Sequence, residues 1–317
     1  MKKVLFATTA LVATASVAAA DVTFSGYGRF GIAYISDNGT GDSDTNVTSR
    51  FRLQIDATAE SDAGVTIGAR ARIQQDADDA VSVDSLGADS DGDGVANFRS
   101  DRLGSGINGV RFFARSGGLE VGVGNIFGAL EFMPGQYPID LGLTGHNYDY
   151  TAFNFGGDAY DSDEEGAAGS NGVELMYSVG DFSAHISASD IGDRVAAYVA
   201  YTYSGITFAL GGQDSDFAGD TELTATVSGT FGIADVALAY ADNGTKGDHI
   251  VLAGRVAVGA ATDIEAYIVD ADQWSETGFG IDFNHDMGGG TSLRGGVSTG
   301  GSLGDETLVD MGVRFNF

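Results

Sequence analysis

From Val22 to the end of the chain, apolar and polar residues alternate with a period of two, in segments of about ten residues closed off by Gly, Asp, Asn and Ser. Successive side chains of a strand point to opposite faces, so each segment carries one apolar and one polar face, a pattern that a helix cannot satisfy. In VTFSGYGRFGIAYI, residues Val22, Phe24, Phe30, Ile32 and Tyr34 oppose Thr23, Ser25, Tyr27 and Arg29. In RFRLQIDATAE, Phe51, Leu53 and Ile55 oppose Arg50, Arg52, Gln54 and Asp56. VTIGARARIQ sets Val65, Ile67 and Ala69 against Thr66, Arg70 and Arg72, and Val309, Met311, Val313, Phe315 and Phe317 close the chain opposite Asp310, Arg314 and Asn316. After residue 20 no apolar run approaches the roughly 20 residues of a spanning helix, which excludes a bundle of membrane helices.

The connections alternate in length. Short ones such as Gly180-Asp181 and Ser204-Gly205 interleave with longer ones at residues 37–47, 76–104 and 125–171 and at five later places. Counting the segments between them gives about 16 strands, an even number with tight turns on one rim and loops on the other, the layout of a membrane barrel. Both prolines, Pro134 and Pro138, fall in the longest connection, as expected where every strand is paired on both sides. The expected fold is all-β: a 16-stranded antiparallel transmembrane β-barrel.

A soluble sandwich would share the alternation, and the charges separate the two. Beyond the first 20 residues the chain has one lysine, Lys246, whereas a sandwich mixes Lys and Glu over its wet faces. Arg29, Arg50, Arg52, Arg70, Arg72, Arg111, Arg194, Arg255, Arg294 and Arg314 all fall on polar registers. A guanidinium facing lipid at mid-depth costs about 2–4 kcal/mol, so an apolar register free of arginine is what lipid demands. Small residues on that register, Ala57, Ala69 and Ala71 among them, would pack a sandwich core poorly but need no partner among lipid tails. Aromatic residues near strand ends, including Tyr34, Phe51, Tyr177, Phe182, Tyr201, Phe208, Tyr240, Phe315 and Phe317, fit interfacial girdles.

Met1-Lys2-Lys3, an apolar run from Val4 to Val17 and Ala18-Ala19-Ala20 read as a secretory signal peptide cleaved after Ala20, leaving residues 21–317 as the barrel domain. The chain carries a formal charge of −29, which repels nucleic acid and anionic headgroups unless divalent cations intervene. It has no Cys, hence no disulfide framework and no thiolate metal site.

The stretches VTFSGYGRFGIAY, SRFRLQIDATAESDAGVTIGARARIQ, GLEVGVGN, NGVELMYSVGDFSAHISASD and LVDMGVRFNF resemble the general porins of photosynthetic alphaproteobacteria such as Rhodobacter, and the resemblance covers essentially the whole chain after residue 20. The closing Phe317 is similar to the assembly signal of bacterial outer-membrane barrels. The resemblance implies a homotrimer in the outer membrane, seated in its lipid, and the acidic loops of such an exported barrel are expected to meet lipopolysaccharide through shared divalent cations. It also implies a water-filled channel for passive diffusion of small hydrophilic solutes and ions, with no required cofactor. It further implies that the third long loop folds into the lumen, setting its acids against arginines on the wall. The matching parts here are Arg29, Arg50, Arg52, Arg70 and Arg72 on the early strands, with Glu131, Asp140 and Asp149 in the loop. Such a pair of charged faces sets up a transverse field that orients dipolar solutes and leaves polar ones a way through. The second long connection, 76–104, is longer and more acidic than the resemblance leads one to expect.

Within that connection, Asp89, Asp91 and Asp93 of DSDGDG form the opening of a calcium loop, carboxylates at alternate positions with a Gly for the turn. The twelfth position is Ser100 and not Glu, so the pattern is not an EF-hand, and a solvated acidic loop is the plain alternative. An exported calcium-binding, adhesin-like β protein is the second function that the sequence allows. Gly26-Tyr27-Gly28-Arg29-Phe30-Gly31 matches a dinucleotide fingerprint only in letters, because it lies inside a strand with no helix following. His146, His185, His249 and His285 are scattered, and no Ser stands in a nucleophile elbow, so nothing points to an enzyme.

Overall fold

The computed structural model describes residues 21–37, 42–76, 107–153, 172–216 and 218–317. Sixteen strands form one closed barrel in which each pairs antiparallel with its sequence neighbours and the last with the first. They are β1 (Asp21–Ile35), β2 (Asp44–Glu60), β3 (Thr66–Asp76), β4 (Ile107–Ser116), β5 (Leu119–Gly124), β6 (Gly172–Val179), β7 (Phe182–Ser189) and β8 (Val195–Tyr203). The second half comprises β9 (Ile206–Asp214), β10 (Glu222–Phe231), β11 (Ala234–Asp242), β12 (Asp248–Ala257), β13 (Thr262–Ala271), β14 (Gly278–Gly288), β15 (Thr291–Thr299) and β16 (Thr307–Asn316). Closure removes the unpaired sheet edge that neither lipid nor water-free packing could tolerate. At the seam, Gly26 and Phe317 exchange both backbone hydrogen bonds, at 2.9 and 3.0 Å.

The turns explain the two rims. Between β4 and β5, Gly117 and Gly118 adopt φ of 58° and 84°, the paired left-handed conformation of a two-residue hairpin whose twist matches its strands. The connections at the opposite rim are longer, and the third, 125–171, is the longest between described strands.

Burial follows the alternation. Phe30, Ile32 and Tyr34 of β1 point outward and are exposed, as are Leu210, Ile250, Phe279 and Ile281 on later strands. The aromatics Tyr177, Phe182, Tyr201, Phe208, Tyr240, Phe315 and Phe317 share that outer face. Phe317 stacks on Phe51 with centroids 5.8 Å apart.

The core lies inside the barrel, off its axis. Ala196, Ala200, Ala209, Ala239 and Ala253 on the inner wall pack against Leu130, Met133, Leu141 and Phe153, all of which belong to the third long connection. Small wall residues make the room that these side chains fill. At Gly211, an added Cβ would stand 2.7 Å from Leu130 Cδ2 and 2.8 Å from Met133 Sδ. The described part of the third connection, residues 125–153 and hereafter loop 3, is therefore folded into the lumen.

Candidate functional site

Loop 3 leaves β5 at Asn125 and follows the inner wall. Ala129 N–H donates to Ser187 Oγ on β7 at 2.9 Å, and Thr226 on β10 donates its hydroxyl to the Pro134 carbonyl. Further on, wall carboxylates receive the loop's backbone. Asp140 N–H donates to Glu265 on β13 at 3.0 Å, and Gly142 N–H to Asp282 on β14 at 2.6 Å. Leu143 N–H and Thr144 N–H donate to Asp310 on β16 at 2.9 and 2.7 Å, and the Thr144 hydroxyl adds a bond of 2.7 Å. A buried irregular segment must find partners for its N–H groups, and a carboxylate with two oxygens can serve several at once.

The loop then turns back through a strained stretch. His146, Asn147 and Tyr148 have φ of 41°, 62° and 60°, a left-handed run that costs roughly 1–2 kcal/mol per non-glycine residue. The buried His146 ring anchors it, with Nδ1 2.8 Å from Ser298 Oγ and Nε2 3.0 Å from Asp310 Oδ2. The return pass is tied down where Ser302 N–H donates to Asp149 at 3.0 Å and Asn243 Nδ2 donates to the Ala152 carbonyl at 3.0 Å.

The inner faces of β1, β2, β3, β15 and β16 are basic, and several of their arginines touch the loop. Register places Arg314 of β16, Arg29 of β1 and Arg50 of β2 directly across from one another. Arg29 donates to the Leu143 carbonyl of loop 3 at 2.6 Å. Arg52 donates to Gln74 at 2.6 Å and lies over the Tyr27 ring. Arg72 donates to Gln54 at 3.1 Å and sits 4.3 Å above the centre of Phe127, at the start of the loop. Arg70 pairs with Asp56 on the neighbouring strand at 2.8 Å.

The three loop acids singled out by sequence go to different places. Asp140 meets the wall: one oxygen accepts from Arg294 Nη1 at 2.6 Å and Arg314 Nη1 at 2.8 Å. Glu131 accepts from the Tyr137 hydroxyl at 2.7 Å within the loop. Asp149 is buried against Ser302 on the return pass, and burial pushes its carboxyl up from the usual range. Asp89, Asp91 and Asp93 lie outside the described residues, and among those described no group of three or more His, Asp or Glu could hold a metal. His185 takes the inward register but is buried, its Nε2 3.0 Å from Glu174.

Sequence reasoning missed Arg294 and Arg314 as partners of the loop, together with the anchoring carboxylates Glu265, Asp282 and Asp310. Both arginines stood on polar registers, and closure of β16 onto β1 was the available signal, since it brings Arg314 beside Arg29. The carboxylates carried no signal beyond their inward register.

A family model described as Gram-negative porin matches residues 7–302. A protein called porin from Fuscovulum blasticum is 31% identical over 94% of this chain and 100% of its own length, and another from Rhodobacter capsulatus is 26% identical with the same coverage. The solved structure of a mutant of the Rh. blastica porin matches with a TM-score of 0.76 at 27% identity, over 94% of this chain and 100% of that one. The adhesin reading finds no support in these relatives. The closed barrel with arginines turned to its lumen and a loop folded across it is an outer-membrane channel for small solutes, and the chain belongs to the Gram-negative porin family.

Proposed function

We propose that the chain is a general-diffusion porin whose narrowest point lies between loop 3 and the arginine face of β1–β3 and β15–β16. The contact of Asp140 with Arg294 and Arg314 carries this reading, because it fixes a loop acid at the edge of the basic row Arg314, Arg29 and Arg50. Glu131 adds a second loop charge. Small hydrophilic solutes and ions cross passively, and no cofactor is needed for that. The outer face of exposed apolar side chains supports seating in lipid, and the acidic loops support contact with lipopolysaccharide through shared divalent cations. Cleavage after Ala20 and assembly as a homotrimer complete the proposal.

Planar-bilayer recording of the purified protein tests it. Stepwise ohmic increments in groups of three are expected. A silent bilayer would sink the channel, and isolated single steps would sink the trimer alone. Calcium on Asp89, Asp91 and Asp93 would show as a heat stability of the oligomer that falls with a chelator and is insensitive to it once all three are changed to Asn.

A further inference from the structure

A cavity of about 670 Å³ opens at the short-turn rim, lined by the turns after β2 and β4, by the turn-proximal ends of β3 to β8 and by Phe132 of loop 3. It lies away from the Asp140 contacts with β15 and β16 and has a chemistry of its own. One wall is aromatic: Phe132 lies 5.7 Å from the His185 ring, and Tyr198 meets the same ring edge-on at 5.9 Å. Met176 adds a polarizable side chain to the lining, its sulfur 3.9 Å from Arg111 Nη2. Phe132 is 38% exposed, an apolar ring presented to the water of the channel.

Arg115 and Glu120 supply the ionic part of the lining, and Arg111 holds Glu120 from outside it. Arg111 is buried and saturated, paired with Glu174 through Nε and with Glu120 at 2.6 Å. Glu120 is thus already engaged. Arg115 lines the cavity with its side chain 53% exposed: its Cζ lies 5.2 Å from the centre of the Phe113 ring and it reaches Glu120 only at 4.0 Å, a loose engagement that leaves the guanidinium accessible to a solute. Hydroxyls of Thr66, Ser178 and Ser183 complete the lining.

We propose that this recess is a resting site for small aromatic carboxylates in transit. The carboxylate takes the Arg115 guanidinium in a fork-to-fork contact, and the ring lies against Phe132, Met176 and Tyr198. The volume falls in the range of small-molecule sites and leaves space for hydration water, so occupancy is weak and exchange is fast. Both features are needed: an aliphatic acid lacks the ring contact, and an uncharged aromatic lacks the fork.

The test titrates the folded full-length barrel with 3-phenylpropionate and, separately, with propionate. Ion-current noise in bilayers and saturation-transfer NMR in detergent are read in parallel. Half-saturation is expected at least tenfold lower for phenylpropionate, with Arg115→Gln raising it tenfold or more and Phe132→Ala removing the preference for the ring. Arg115→Lys, which keeps the charge and loses the fork, should fall between; it also serves as the comparison if the Gln variant does not fold. Equal half-saturation for the two acids, or phenylpropionate binding unmoved by either Arg115 substitution, overturns the site. NMR binding beside a silent bilayer upholds the recess while sinking the channel.

Discussion

Asp310 shows how a single buried carboxylate can set the position of a loop. It accepts from Leu143 N–H, Thr144 N–H, the Thr144 hydroxyl and Gly296 N–H, and it faces the His146 ring. A buried charge so fully compensated is tolerable, but removing one side leaves the other unpaired. Asp310→Asn keeps the shape while turning an amide N–H₂ toward donors. The expected loss is about 3 kcal/mol, read as a lower unfolding temperature in detergent, with noisier open-channel current as loop 3 loosens. Unchanged stability would mean that the loop is held elsewhere. Asp149 is expected to act in the opposite sense. Burial raises its pKa, so the folded protein holds that proton more tightly than the unfolded chain does. The ionised group therefore opposes folding above the folded pKa, and the penalty fades as pH falls through that value. Asp149→Asn should gain stability over the parent at neutral pH and lose the advantage in acid. A constant difference across pH would show that the carboxyl is not the group responsible.

Loop 3 works as an element because glycines let it approach the wall. Gly31 of β1 and Gly312 of β16 lie opposite each other, and a Cβ at Gly312 would stand 2.5 Å from Leu143 Cδ2 and 2.3 Å from the Phe30 carbonyl. The carbonyl belongs to a paired strand and cannot retreat, so the strain goes into the seam and into the loop. Gly312→Ala is expected to cost about 1–3 kcal/mol and to shift single-channel conductance, because Leu143 carries the carbonyl that Arg29 holds. A variant with the parent's conductance would show that the loop does not set the pore. The strands were legible in sequence because alternation is local: Phe51 and Arg52 declare their faces by adjacency alone. The path of loop 3 was not. Residues 130–153 have no period, and their partners Glu265, Asp282, Arg294 and Asp310 lie more than a hundred residues away in the chain. Inward register marked those residues as wet or packed without saying which.

Across the whole barrel, closure of β16 onto β1 turns separate arginines into a continuous basic face. Arg314, Arg29 and Arg50 stand in one row, with Arg52 and Arg72 beside it on β2 and β3. This face opposes the bulk balance, since the chain as a whole carries −29 and its loops would draw cations to the mouth. The two tendencies are expected to leave a weak net preference for cations, and each can be moved alone. A unit charge about 8 Å from an ion in water contributes roughly 0.5 kcal/mol, so neutralising one wall charge should change the cation-to-anion permeability ratio by about twofold or more. Changing Arg50 and Arg52 together to Gln is expected to raise cation preference, and Asp140→Asn to lower it, as reversal potentials in a salt gradient will report. Both shifts should shrink between 0.1 M and 1 M salt, as the screening length falls from about 10 Å to about 3 Å. A reversal potential that ignores Arg50 and Arg52 at low salt would place the selective step outside the row, while equal effects at both salts would mean that those side chains act by steric change and not by charge.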